Sequence, residues 1–376
     1  MNYSGIYVTI NKILQDGGVC MNKQGKLRLG SFNFIKGVAI CIVVFGHFAS
    51  DFNIEKLTLF YPLFWLLDFL KTPVIPLFFV ISGYGFATSR SRTTLKRTVK
   101  MLLMPYGLVM LASCILRIIQ IYGQTFDWLR VFKNVRAVLI AFMLGIPIPG
   151  KVVFGIKLSH CAIVWFLLAL FWAHNILNLI LKSKNVWVQV VSVVGCAALG
   201  YGLFQVGFVY YCIPHGLIAT TYFYIGYLLK KYAVLEKELP HKWMYPIWVI
   251  IACIYAKWGL FDLCYGIFRN FVIDYVGVIF LTLLLLVIGI RLGTVEWRIF
   301  DLVKNAGVYS YWILCIHSIE EKCLPWKDYV QLTQEHPNLG FFFALIIKCA
   351  LISIGCILLK KIQRWKYRRQ VKNYVR

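Results

Sequence analysis

Acidic residues are scarce in this chain, with 15 Asp and Glu against 40 Lys and Arg in 376 residues. Charged residues of both signs make up only 15%, while hydrophobic residues reach 60% and the mean hydropathy is +0.72. A soluble domain of this length needs far more charge, so the composition excludes one and places the chain in a bilayer. With about 20 apolar residues needed per spanning helix, the apolar runs and their connectors use nearly the whole chain. The net charge of +25 would otherwise point to nucleic acid. Here Lys and Arg sit mainly in short loops between apolar runs, the pattern that orients membrane proteins, and no nucleic-acid partner is expected.

Other patterns are missing as well. The twelve cysteines show no Cys-x-x-Cys spacing, and most lie within apolar runs, among them Cys41, Cys114, Cys196, Cys253, Cys315, Cys349 and Cys356. Cysteine in such runs behaves as a small apolar residue, so neither a metal site nor a disulfide framework is expected. No Gly-x-Ser-x-Gly elbow or Cys/His pair offers a nucleophile. No internal repeat marks an inverted-repeat transporter. Residues Met1 to Gly30 are mixed polar without a long apolar core, so no cleavable signal peptide is expected, and Met21 is an alternative start. Gly18-Val19-Cys20 lacks the apolar run that would precede a lipoprotein site.

What is present is a series of ten apolar runs: Phe34 to Ser50, Ile75 to Ser89, Met101 to Tyr122, Ala162 to Leu181, Val186 to Phe204, Val209 to Leu229, Met244 to Trp258, Phe271 to Ile290, Ala306 to Leu324 and Phe341 to Leu359. The fold class expected is an all-α integral membrane bundle of about ten transmembrane helices. The shorter stretches Leu57 to Leu70 and Val135 to Pro149 read as interfacial or re-entrant. The second of these ends in Gly145-Ile146-Pro147-Ile148-Pro149-Gly150, irregular backbone that the membrane tolerates only against protein or water. With both termini cytoplasmic, the inside segments hold 26 basic residues and the outside segments 11, which favours that orientation. The division expected is a cytoplasmic segment 1–30, a membrane domain 31–360 and a basic cytoplasmic tail 361–376.

The first run carries a polar seam. Lys36 and His47 are eleven residues apart, almost three turns of helix, so both project from one face roughly 16 Å apart along the axis. Asn33 is three residues before Lys36, near the same stripe. Ionisable residues inside a membrane are costly and mark functional positions, although a hydrogen-bonded structural histidine and a snorkelling lysine remain the alternatives. Imidazole suits general-base work because it titrates near neutrality and can take a proton from a hydroxyl that attacks an ester or thioester. In the second run, Ser82-Gly83-Tyr84 follows a string of aromatics, where small residues allow close helix approach and Ser82 can bond across to a neighbour. Next come Arg90, Arg92, Lys96, Arg97 and Lys100, a cluster able to hold phosphates and equally what topology or anionic lipid would produce.

In combination these patterns resemble the acyltransferase 3 family of membrane-bound acyltransferases, which includes bacterial O-acetylases of surface polysaccharides. Asn33-Phe34-Ile35-Lys36-Gly37 and Gly46-His47 resemble its Ile-Asp-x-x-Lys-Gly opening and following Gly-His. Pro76 to Tyr84 is similar to its Pro-Leu-Phe-Phe-x-x-Ser-Gly-Tyr, and Arg97 with Lys100 to its Arg-x-x-Arg. Val164-Trp165-Phe166-Leu167 resembles its Trp-Phe-Leu helix entry, and Tyr309 to His317 its late Ser-to-His helix. The resemblance covers roughly Ser31 to Leu359.

It implies that His47 is the essential base, that Lys36 lines the donor path where many members carry Arg, and that Arg97 and Lys100 contact an acyl-CoA donor. Asn33, Ser82, Tyr84, Trp165 and His317 would line the site. Two departures stand out: Asn33 replaces the usual Asp, and Lys36 loses the bidentate recognition of Arg. His160, His174, His215, His241 and His336 carry no such support.

The function expected is therefore O-acylation at a multi-pass bacterial cytoplasmic membrane. No bound cofactor is expected, acyl-CoA (acetyl-CoA foremost) is the co-substrate, and a glycan or lipid-linked saccharide is the acceptor partner. The alternatives are a transporter or glycan flippase, and a non-catalytic relative.

Overall fold

A computed structural model describes residues 23–52, 57, 59–236 and 244–374. Residues 1–22, with the alternative start Met21, and His241 lie outside the described residues, as do most of the loop from Asp51 to Leu57 and the last two residues of the basic tail. All ten apolar runs are predominantly helical, and among the described residues seven helices are long and apolar enough to cross a membrane. The only strands described are two short hairpins, β1 (Val152–Val153) with β2 (Ile156–Lys157) and β3 (Phe261–Asp262) with β4 (Ile267–Phe268).

Helix α1 spans Lys23–Asp51 without a break. It begins eight residues before Ser31, where the membrane domain is expected to start. Helix α2 (Tyr61–Tyr84) absorbs most of the stretch Leu57 to Leu70, which therefore forms the first half of the second spanning helix rather than a separate interfacial piece. Pro73 and Pro76 both lie inside the helix, where each removes one ladder hydrogen bond, to the Phe69 and Thr72 carbonyls. The Thr282 hydroxyl donates to the Pro73 carbonyl at 3.5 Å.

The basic stretch after α2 is also helical. Helix α3 (Ser91–Thr98) runs through a π-helical turn at Val99–Leu103 into α4 (Met104–Thr125), making one apolar span of 35 residues. Pro105, at the start of α4, cannot donate to the Met101 carbonyl, and the wider turn takes up that mismatch. Helix α5 (Trp128–Met143) returns along α4, with Asp127 capping its first turn through Leu129 and Arg130 and with the Tyr106 hydroxyl donating to the Phe142 carbonyl at 2.6 Å. The Gly-Pro segment that follows is packed against protein, as irregular backbone at depth requires: Ile146 is fully buried and Tyr211 N–H donates to the Leu144 carbonyl.

Helices α6 (Trp165–Ile180) and α8 (Ile213–Lys231) form the centre of the bundle, with α7 (Val186–Gln205) packed on α8 and exposed on its other side, followed by α9 (Met244–Trp258) and α10 (Phe271–Gly293). The run Ala306 to Leu324 is broken at Tyr309 into α11 (Arg298–Val308) and α12 (Ser310–Cys323). A short α13 (Trp326–Leu332) leads into the long α14 (Pro337–Tyr374).

Two glycine contacts set how closely these helices pack. A Cβ at Gly37 would lie 1.9 Å from the Val303 carbonyl oxygen, and one at Gly307 1.7 Å from that of Asn33, so α1 and α11 meet backbone to backbone. Gly83 and Gly226 do the same where α2 crosses α8, against the carbonyls of Phe223 and Val80. Without a hydrophobic drive between helices in lipid, such close packing is what holds them together. The Ser82-Gly83 pair thus has a packing role.

Candidate active site

His47 lies one turn before the end of α1, with 42% of its side chain open. The uninterrupted helix keeps the spacing to Lys36 at about three turns, and both residues are partly buried. Across from His47, α12 supplies three ionisable residues within five positions, His317, Glu320 and Glu321. Glu321 Oε1 is 4.0 Å from His47 Nδ1, one small side-chain adjustment from a hydrogen bond. The imidazoles of His47 and His317 pack edge to face with centroids 5.9 Å apart.

Behind this pair is a fully buried charge network. Glu320 Oε2 lies 3.0 Å from His317 Nδ1 and 3.1 Å from Lys348 Nζ, and Glu320 Oε1 accepts from the Trp326 indole. Lys348 comes from the middle of α14 and has no exposed side-chain surface. Its ammonium also sits 4.9 Å from the Phe48 ring and 5.2 Å from that of Trp326, within cation–π range. Phe48, Phe52, Phe64 and Phe341 close this end of the bundle as a packed aromatic cluster. An isolated buried ammonium is prohibitive, so the ion pair and the rings together make Lys348 tolerable.

The far end of α12 is tied to its surroundings. Lys322 Nζ donates to Ser159 Oγ and to the His160 carbonyl, while Arg117 donates to the Lys322 carbonyl. His160 Nδ1 accepts from the Ala162 N–H. The folded-back segment before α6 thereby brings His160 within electrostatic reach of His47, together with Lys71 from α2.

The remaining residues named from sequence are spread elsewhere. Tyr84 stacks on Phe32, 15 positions before His47 on α1, and Asn33 lies beside Gly307 near that same end. Trp165 is buried against His215, 5.1 Å between centroids. Arg97 and Lys100 lie on α3 and the π turn, where the Tyr311 hydroxyl reaches the Met101 carbonyl. Tyr311 is six positions before His317, so this contact lies towards the start of α12 from the histidine pair.

The structure therefore joins His47 to His317 and adds Glu320, Glu321, Lys348, Lys322 and His160, which sequence reasoning passed over. A signal for the carboxylates existed: two adjacent acids in a chain with few, one helical turn past His317. Lys348 in the middle of an apolar run was a second. Chemically, an imidazole with a carboxylate opposite Nδ1 can accept a proton on its other nitrogen.

Neither a curated protein nor a solved structure matches this chain. A family model described as an acyltransferase domain matches residues 29–360, which takes in the His47 helix, the α12 cluster and Lys348. The chain belongs to the acyltransferase 3 family and is a multi-pass membrane acyltransferase.

Proposed function

We propose that the protein transfers an acyl group, acetyl in the simplest case, from cytoplasmic acyl-CoA to a hydroxyl of an extracytoplasmic or lipid-linked glycan, with His47 as general base. The observation that carries this reading is His47 itself: a partly open imidazole deep in an apolar bundle, with the Glu321 carboxylate opposite Nδ1. Glu321 orients the ring with Nδ1 protonated and offsets the positive charge that forms when Nε2 takes the hydroxyl proton. The hydroxyl oxygen then bonds to the acyl carbon and the thiolate leaves with the C–S electron pair.

The positive skew of the loops supports cytoplasmic termini in a bacterial cytoplasmic membrane, with the Arg97 and Lys100 end inside and the His47 end towards the outer face. Arg97 and Lys100 would hold the phosphates of the donor there. Lys36 lies about three turns before His47 on α1, suited to line the acyl path. Because Asn33 packs beside Gly307, its substitution for Asp acts at the inner end of the seam and leaves the His47 cluster intact. Residues 31–360 form the catalytic membrane domain in this reading.

The test is transfer of labelled acetyl from acetyl-CoA to envelope glycans in membranes carrying the protein. His47→Ala should abolish transfer while the protein still inserts and purifies at the normal size. Undiminished transfer by that variant would remove His47 from the chemistry, and glycan movement without consumption of acetyl-CoA would point to a flippase.

A further inference from the structure

His317 has no exposed side-chain surface, so it cannot touch a substrate that approaches His47. Its two ring nitrogens are nevertheless in different circumstances. Nδ1 faces a Glu320 oxygen that also receives the Lys348 ammonium, while the other Glu320 oxygen receives the Trp326 indole. A carboxylate holding an ammonium and an indole N–H is ionised and can only accept, so Nδ1 carries the proton. Neutral His317 is then bare at Nε2, and that nitrogen is buried without a hydrogen-bond partner. Buried acceptors are rarely left so, and the exceptions call for an explanation. The polar ring packed edge to face on the His317 ring is that of His47.

We propose that His317 is a positioning residue that works through His47. Fixed with Nδ1 protonated by Glu320 and Lys348, it stays neutral and keeps a bare Nε2, a lone pair rather than a second charge, in the ring packed against His47 as His47 becomes imidazolium. This rests on His47 being the base. The surrounding charge agrees: Glu320 and Lys348 cancel, Glu321 stands opposite His47, and Lys322 on α12, Lys71 on α2 and His160 in the segment before α6 lie nearby. Two adjacent imidazolium rings in that setting would repel, whereas one neutral ring with a free lone pair accommodates the other's charge. It also gives a reason for a lysine in the middle of an apolar helix: without its cation, Glu320 could not stay ionised in the core.

The test uses the full-length protein, with transfer of labelled acetyl from acetyl-CoA to envelope glycans and nitrogen-15 histidine spectra of the purified protein. The wild-type spectrum should contain a neutral imidazole protonated at Nδ1 that disappears in His317→Leu. That variant should lower kcat about 100-fold with the KM for acetyl-CoA within about twofold. His317→Gln, which restores an acceptor oxygen, should recover about tenfold of that loss. The double variant Glu320→Gln/Lys348→Met removes both charges together, so it should fold and yet lose kcat as His317→Leu does. The proposal is overturned by an unchanged kcat in His317→Leu, by equal rates for Leu and Gln, or by His317 protonated at Nε2. If His317→Leu does not purify as a folded species, the Gln and double variants carry the same comparison. Should the wild type transfer no acetyl, the reading of His47 fails, while the spectrum still decides the state of His317.

Discussion

Among the described residues four histidines lie within helices of this bundle, and they fall into two contrasting regions. In the centre, His174 packs between Phe86 and Phe223, and His215 packs between Trp165 and Phe204 with Nε2 3.0 Å from the Cys264 carbonyl oxygen. Among the described residues neither pairs with a carboxylate. Towards one end, His47 and His317 each have a glutamate opposite Nδ1, and a buried lysine completes the network. Both regions are buried and both are aromatic. The difference is that an imidazole among rings and backbone carbonyls can only fill space and hold one bond, whereas a carboxylate opposite Nδ1 fixes which ring nitrogen carries the proton and leaves the other to act.

The sharpest way to break this contrast is to remove one histidine from each region. His47→Ala should reduce acyl transfer by about 10²- to 10⁴-fold, the range for loss of a general base. Lys348→Met should act on stability: it leaves Glu320 buried without its cation, a loss of about 3–5 kcal/mol that a thermal melt of the detergent-solubilised protein would report. A melt unchanged by that substitution would mean the network is wetter than its geometry implies. Glu321→Gln should lower kcat by about 10- to 100-fold with little change in KM for acetyl-CoA, because the ring keeps a neighbour but loses the charge that offsets imidazolium. The smallest effect belongs to the centre: His174→Phe, an aromatic substitution between two phenylalanines, should leave transfer within about threefold of wild type and cost under about 1.5 kcal/mol. A large loss of activity there would erase the distinction between the regions.

Much of the fold was legible in the residues. Apolar runs long enough to span a bilayer are a strong signal because no soluble arrangement can satisfy them. The differences fall at Leu57 to Leu70, which joins the second spanning helix, and at Arg90 to Lys100, where a basic stretch between apolar runs continues as helix. Within the site, His47 and His317 were visible because each sits in an ordered local pattern. Glu320, Glu321 and Lys348 were not, since their importance lies in which helices meet: Lys348 is 28 positions beyond Glu320 and comes back to it only through the turn formed by α13. Tyr84 shares the family's patterns, yet it packs against Phe32, near the other end of α1 from His47.

By itself, then, the sequence determined that this chain lives in a membrane, that its helices are long and apolar, and that α1 bears Lys36 and His47 on one face. Those are local or compositional properties, set by hydrophobicity and by the 3.6-residue period. The tertiary structure decided which ionisable groups share a site. A buried charge is tolerable only beside its counter-charge, and that pairing is made between helices, where backbone contacts such as Gly37 against Val303 and Gly307 against Asn33 set the approach.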